Sequence, residues 1–320
     1  MKARSFTTAD VEAVVSRLGD RLGGATPTAI ELREEHSNLV AEVELDIGRT
    51  LIIKQARYPE MAARFETSRT AARLLRQRTR VVVPEYLDVP GPNSTLAYWR
   101  IPLPTLEELW PGLREQALRH TLRTLGGLIR RIQQVRLPGH GALLEVERAR
   151  SATEFLLFDL RQRLRPAAAG HWRAALPTID ELVDRTRGMQ ARVDDREAVL
   201  VHNDLFAPNI LCEQMRDGEV VCVGAIDFED AFAGPPEAEF AKIEVLHGPL
   251  FGRPQTEQLM REIVTGHGGP LDPLVMAYFR AFHLLNMGFH AAATGHDGHA
   301  AEVLDACWRE LHALDRLATQ

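Results

Sequence analysis

Ala198-Val199-Leu200-Val201-His202-Asn203-Asp204-Leu205-Phe206-Ala207-Pro208-Asn209-Ile210-Leu211 is the stretch on which the fold turns, and Val223-Gly224-Ala225-Ile226-Asp227-Phe228-Glu229-Asp230 follows it after a hairpin-like interval. In each, a short apolar run leads into acidic or amide side chains. Burying Asp204, Asn209 and Asp227 near one another is costly unless a cation or hydrogen bonds compensate them, and a metal-phosphate site is the natural compensation. Taken singly, Asp204 and Asn209 read as turn residues that bond local backbone. Taken in order, 23 residues apart from Asp204 to Asp227 and each led by an apolar strand, the two segments form a specific pattern.

Toward the N-terminus, Thr7-Thr8-Ala9-Asp10 followed by Val11, Val14, Val15, Leu18 and Leu22 reads as a capped amphipathic helix. Two alternating runs, Leu39 to Leu45 and Thr50 to Lys54, joined by Asp46-Ile47-Gly48-Arg49, predict a β-hairpin. Pro59 opens a helical stretch through Met61, Phe65, Ala72 and Leu75. Strands are expected at Arg80 to Pro84 and Ser94 to Ile101, before Pro102 and Pro104, which read as a hinge. Past the hinge the pattern turns helical: Leu113 to Val135 at three- and four-residue spacing, then Ala149 to Arg192 with breaks near Pro166 and Pro177, then Leu271 to Leu317. The expected class is α+β in two lobes, a small mixed β-rich lobe over residues 1–101 and a larger, mainly helical lobe over 102–320 with a small β insert.

The bulk numbers fit a globular chain: 45% hydrophobic and 26% charged, without an apolar run near the length of a membrane span. The N-terminus lacks the character of a signal peptide, so a cytoplasmic location is expected. Three cysteines, Cys212, Cys222 and Cys307, lack zinc or disulfide-scaffold spacing and read as reduced structural thiols. A net charge of -6 argues against a nucleic-acid partner and is compatible with a cationic small molecule. Only three lysines occur, Lys2, Lys54 and Lys242, so the position of each matters. Lys54 ends the apolar Leu51-Ile52-Ile53 and must send its ammonium to a partner. His290, His296, Asp297 and His299 lie with Gly295 and Gly298 in what reads as an interhelix loop rather than a metal site.

The spacing of His202, Asp204 and Asn209 resembles the catalytic loop of protein kinases and, more closely, that of aminoglycoside phosphotransferases and choline-kinase-like enzymes; Ile226-Asp227-Phe228 resembles their metal-binding segment. The resemblance implies a bilobal protein-kinase-like fold and transfer of the γ-phosphoryl group of ATP or GTP, with Mg2+, to a hydroxyl of a small molecule. By position, Asp204 orients the acceptor hydroxyl, Asn209 and Asp227 hold the metal, and His202 braces the loop. Lys54 meets the nucleotide phosphates and a helix glutamate, Glu66 or alternatively Glu60. The turn before Leu39 corresponds to the phosphate-covering loop through Ser37 and Asn38, although the family's glycine is absent and Glu34 and Glu35 stand beside it. Trp99 and Ile101, at the end of the strand before the hinge, are assigned to the nucleotide site.

Leu137-Pro138-Gly139-His140-Gly141 and Gly234-Pro235-Pro236-Glu237-Ala238-Glu239-Phe240-Ala241 extend the likeness, with Glu239 where aspartate is usual, Asn203 where glycine is common and Phe206 where histidine is common. Asp230, Glu237 and Glu239 are the residues expected to draw a cationic acceptor. An aminoglycoside or another hydroxylated antibiotic is the leading acceptor. A choline, homoserine or sugar kinase and a catalytically silent kinase-like module are the alternatives.

Overall fold

The computed structural model describes residues 6–34, 38–58, 62–90, 94–148, 150–216, 218–251 and 253–318. Helix α1 (Thr8–Leu18) opens on the expected cap: Thr7 Oγ1 accepts from the Asp10 amide at 3.3 Å and Asp10 Oδ2 accepts from the Thr7 amide at 2.8 Å. Strands β1 (Pro27–Glu34), β2 (Asn38–Leu45) and β3 (Thr50–Ala56), helix α2 (Ala62–Arg78), and strands β4 (Tyr86–Leu87) and β5 (Thr95–Trp99) follow. The five strands form one antiparallel sheet in the order β1-β2-β3-β5-β4.

Alternation along β3 gives the sheet two distinct faces. Leu51 and Ile53, with Ala41, Val43 and Ala97, bury against Val11, Val14 and Leu18 of α1. Ile52 and Lys54 point the other way, with Val40 and Tyr98, toward the larger lobe. Helix α2 bridges the two parts: Phe65 packs on Leu96 and Ala56, whereas Ala71, Ala72 and Leu75 join the core below.

The strand expected at 80–84 reduces to one parallel bridge, Val82 to Gly224, because its amide and carbonyl pair with the larger lobe: Val82 N–H to Val223 O at 3.1 Å and Ala225 N–H to Val82 O at 3.0 Å. A Cβ on Gly224 would lie 2.3 Å from the Val82 carbonyl oxygen, so this close backbone approach requires glycine.

Beyond Pro104 come α3 (Leu106–Leu109), α4 (Glu115–Ile132), β6 (Gly141–Ala142), α5 (Ala152–Phe158), a π-helical turn (Asp159–Leu164), α6 (Arg165–His171), α7 (Leu176–Gly188) and α8 (Gln190–Asp194). Strands β7 (Val199–Val201), β8 (Ile210–Gln214), β9 (Val220–Ala225) and β10 (Phe232–Gly234) precede helices α9 (Glu237–Phe251), α10 (Arg253–His267), α11 (Pro273–Ala293) and α12 (Asp297–Ala318). One core lies among α4, α10 and the β8–β9 hairpin, with Leu128, Ile129, Phe228 and Phe240. A second joins α5 to α8 with α11 and α12 around Tyr278, Phe279 and Leu285.

Several elements escaped sequence reading, among them β1, β4, α9 and α10. Edge strand β1 is polar along much of its length and takes its order from pairing with β2. Helix α9 buries Ala238, Phe240, Ala241, Ile243 and Val245, and this broad burial leaves no single apolar stripe to read. Cys212 and Cys222 face each other across β8–β9 with sulfurs 3.9 Å apart, and all three thiols are free and buried. Among the described residues no helix is long and apolar enough to cross a membrane.

Candidate active site

Strand β7, buried throughout and hydrogen-bonded to β10, delivers His202 to the interior. The imidazole lies against Phe228, with ring centres 4.4 Å apart, and burial depresses its pKa to about 4, so the ring is neutral. Its Nε2 is 2.9 Å from the Ile226 carbonyl and must carry the hydrogen, which leaves Nδ1 to accept from the Asp204 amide at 3.3 Å. His202 is therefore a brace between the two motif segments.

Asn203 follows with φ of 65°, a left-handed conformation that asparagine tolerates better than most side chains, and donates through Nδ2 to the Asp230 carbonyl at 3.2 Å. Its backbone requirement explains why asparagine can replace glycine here.

Asp204 then turns into a single 3₁₀ turn, Ala207–Asn209, opened by Pro208. Asn209 Nδ2 donates to the Asp204 carbonyl at 2.9 Å and to its Oδ2 at 3.2 Å, and Asn209 Oδ1 accepts no hydrogen bond among the described residues. Burial lifts the Asp204 carboxyl to about 6, opposed mainly by the Lys242 ammonium, while Asp230 and Asp227 push it further upward.

Asp227 sits at the end of β9 with φ of 65°, a strained position for aspartate outside a turn. The Lys54 Nζ reaches its Oδ2 at 2.9 Å and Glu229 Oε1 at 3.4 Å. Burial works to raise the Asp227 carboxyl, but the ammonium prevails and holds it below the ordinary carboxylate range. The Glu229 carboxyl goes up instead, to about 7, because burial and the neighbouring Asp227 outweigh the same lysine. Both Glu229 oxygens also accept from Asn38 Nδ2 at 2.9 Å, which ties the first residue of β2 to the lower lobe. Sequence reading passed over Glu229. Its signal was a further acid two residues after Asp227, beside Asp230, visible only as a weak cue until Asn38 and Lys54 are brought to it.

The donor set suits a small hard cation. Asn209 Oδ1 is open, and the buried Asp227 Oδ1 meets no hydrogen-bond partner among the described residues. Two oxygen ligands from the chain, completed by phosphate oxygens and water, is the usual manner of holding Mg2+. Among the described residues no group of three His, Cys, Asp or Glu could hold a metal by itself.

Several assigned residues stand elsewhere. Glu66 pairs with Arg69 at 3.3 Å on the exposed side of α2, so it is not the partner found for Lys54, whose ammonium turns to the two acids of the lower lobe. Glu60 and Ser37 lie outside the described residues. Trp99 pairs with Leu51 on the α1 face of the sheet, opposite Lys54, and Arg49 stacks over it at 3.8 Å; strand alternation places Tyr98, not Trp99, on the face toward the cleft. Ile101 lies just past β5, and its carbonyl accepts from Leu103 at 2.8 Å.

Glu237 and Glu239 are 0% and 1% exposed and cannot draw an acceptor from solvent. Glu237 pairs with Arg196 and accepts from the Asp272 amide. Glu239 Oε2 accepts from the His202 and Asn203 amides at 2.5 and 3.3 Å, so it fixes the loop backbone immediately before Asp204. Asp230 remains exposed, paired with Arg64 of α2 at 3.1 Å.

The family model described as "Phosphotransferase enzyme family" matches residues 28–279. Among solved structures, the chain is similar to a macrolide 2'-phosphotransferase type I, at 16% identity, covering 96% of this chain and 99% of that one with a TM-score of 0.62. It is also similar to a thermostable mutant of aminoglycoside phosphotransferase APH(4)-Ia in ternary complex with ADP and hygromycin B, at 15% identity over 94% and 98% of the two chains, TM-score 0.66. A third likeness is to APH(2")-IIa in ternary complex with streptomycin and ATP, at 11% identity over 96% and 97%, TM-score 0.64. No curated protein matches the chain. Identities this low establish the shared fold and leave the acceptor open.

Proposed function

Because the chain belongs to the phosphotransferase enzyme family, we propose that it moves the γ-phosphoryl group of ATP or GTP to a hydroxyl of a small molecule, with Asp204, Asn209, Asp227 and Lys54 as its working residues. The observation that carries this reading is the convergence of the four from separate segments. Asn209 touches Asp204, and Lys54 of the upper sheet touches Asp227 of the lower lobe.

Asp204 orients the acceptor hydroxyl and takes its proton; with a carboxyl lifted to about 6 it is still ionised at neutral pH and is a stronger base than an exposed aspartate. Asn209 and Asp227 hold Mg2+, which when bound offsets charge on the nucleotide phosphates. Lys54, shared between Asp227 and Glu229, would turn part of its charge to the phosphates of a bound nucleotide. Asn38, held by Glu229, fixes the start of β2 beside the phosphate-covering turn. The apolar face of Val40, Ile52 and Tyr98 offers a surface for the nucleotide base.

The leading acceptor is a hydroxylated antibiotic, including an aminoglycoside. A second reading, a metabolite alcohol of lower positive charge, is favoured by one observation: Glu237 and Glu239 are consumed inside the fold, and Asp230 already has a cationic partner. The discriminating experiment is mass spectrometry of pooled aminoglycosides, macrolides, other hydroxylated antibiotics and metabolite alcohols incubated with the protein, Mg2+ and ATP or GTP. One compound gaining a single phosphoryl group identifies the class. Nucleotide binding without any product would favour a silent kinase-like module.

A further inference from the structure

Lys242 is one of three lysines in the chain, and none of the roles above uses it. It lies on α9 three residues after Glu239, so the two side chains share a face of the helix. That face is pressed against the catalytic loop, since Glu239 accepts from the amides of His202 and Asn203. On its other flank is His283 of α11, whose Nε2 meets the Ala238 carbonyl at 3.0 Å and whose ring burial holds neutral. Its place on α9 thus sets Lys242 beside the loop backbone on one flank and His283 on the other, and its ammonium works against the rise that burial imposes on the Asp204 and Glu239 carboxyls. Yet among the described residues it makes no hydrogen bond and no ion pair, and it is half-buried. A half-buried ammonium held beside a carboxylate without closing on it is poised for a ligand.

The surrounding charges indicate which ligand. Lys54 is committed on the β9 side, to Asp227 and Glu229. The catalytic loop supplies no positive charge of its own, because His202 is neutral and Phe206 stands two residues after Asp204. The acceptor side of the site therefore has Asp204 and Asp230 as acids, with Arg64 drawn off to Asp230, and, among the described residues, Lys242 as a cation without an ion pair.

We propose that Lys242 is a catalytic residue of this phosphotransferase, its ammonium hydrogen-bonding a non-bridging oxygen of the phosphoryl group in flight. The assignment rests on the phosphotransferase reading. In the step, the acceptor oxygen forms the new bond to the γ-phosphorus, and the bond to the nucleotide's bridging oxygen breaks with its electron pair leaving on the nucleoside diphosphate. The hydroxyl proton passes to Asp204, and Lys242 keeps all its protons. The contact is strongest when the group is between its two partners, so it favours the transition state over either ground state.

The test uses the full chain with Mg2+ and ADP or GDP, with and without aluminium fluoride as a mimic of the transferring group, read by calorimetry and by thermal midpoint. Wild type should bind the diphosphate more tightly when aluminium fluoride is present. Lys242→Met should lose about 10- to 100-fold of that gain while keeping its affinity for the diphosphate alone and its unliganded midpoint, and Lys242→Arg should keep most of the gain. If the methionine variant folds poorly, Lys242→Gln takes its place. A variant that binds the aluminium fluoride complex as tightly as wild type overturns the assignment, as does one that loses diphosphate alone to the same extent. A wild type that binds neither diphosphate overturns the phosphotransferase reading and this assignment with it, and so separates the two failures.

Discussion

Replacing Lys54 by methionine keeps the apolar stem that fits between Val40 and Leu96 and deletes the ammonium 2.9 Å from Asp227 and 3.4 Å from Glu229. Breaking a buried ion pair from one side costs about 3–5 kcal/mol, because the remaining charge stays buried without compensation. Asp227 is a quarter exposed and partly screened, so the burden falls on Glu229, 8% exposed, and the expected loss is about 3 kcal/mol at pH near 8. That is a large share of a typical stability of about 5–15 kcal/mol.

The sign with pH follows from the carboxyls. Glu229 already titrates at about 7 with the lysine present, and losing the ammonium moves it higher. As pH falls the carboxyl takes a proton, and a neutral carboxyl does not miss the lysine. The part that Lys54 contributes through Glu229 is thus present at high pH and lost as pH falls toward 5, while the part through Asp227, whose carboxyl the ammonium holds low, is still present there. Urea unfolding of wild type and Lys54→Met at both pH values measures it, and adding Glu229→Gln to the methionine variant should restore about 1–2 kcal/mol at the higher pH. An equal loss at both pH values would refute the electrostatic account and leave packing as the cause.

Asp204→Asn should cut phosphoryl transfer by about 10²–10⁴-fold with the fold and Mg-nucleotide affinity nearly intact; turnover at the wild-type rate would remove Asp204 from the mechanism. Glu239→Gln keeps an oxygen for the His202 and Asn203 amides but cannot ionise. Since the Glu239 carboxyl is lifted by burial to about 7, wild type should lose stability relative to this variant as pH rises from about 4.5 through 7, by up to about 1.4 kcal/mol per pH unit, and pH-resolved unfolding reads the difference. Gly224→Ala should destabilise by about 1–3 kcal/mol or more, because the new Cβ would stand 2.3 Å from the Val82 carbonyl oxygen; a thermal midpoint equal to wild type would contradict that contact.

Much of this chain is legible before folding. Local order made α1 with its Thr7–Asp10 cap, the β2–β3 hairpin and α4 readable, because each carries its own periodicity and boundary residues. The motif spacing likewise brought out Asp204, Asn209 and Asp227, since the turn that joins Asp204 to Asn209 is built within six residues. Partners distant in sequence were not decided there. Glu66 and Glu60 were the carboxylates that the sequence offered Lys54, and its partners are instead Glu229 and Asp227 because the lysine's face of β3 turns toward the lower lobe. Trp99 and Tyr98 differ by one position in the chain and by opposite faces of the sheet.

Glu237 and Glu239 looked like surface acids because composition does not reveal burial, and packing against β7 and Arg196 made them structural. The sequence by itself determined which side chains could do phosphoryl-transfer chemistry, since that depends on residue type and short spacing. Only the tertiary structure decided which charges compensate one another and which, like Lys242, make no hydrogen bond or ion pair among the described residues, because electrostatic pairing is set by distances of a few ångströms between segments far apart in the chain.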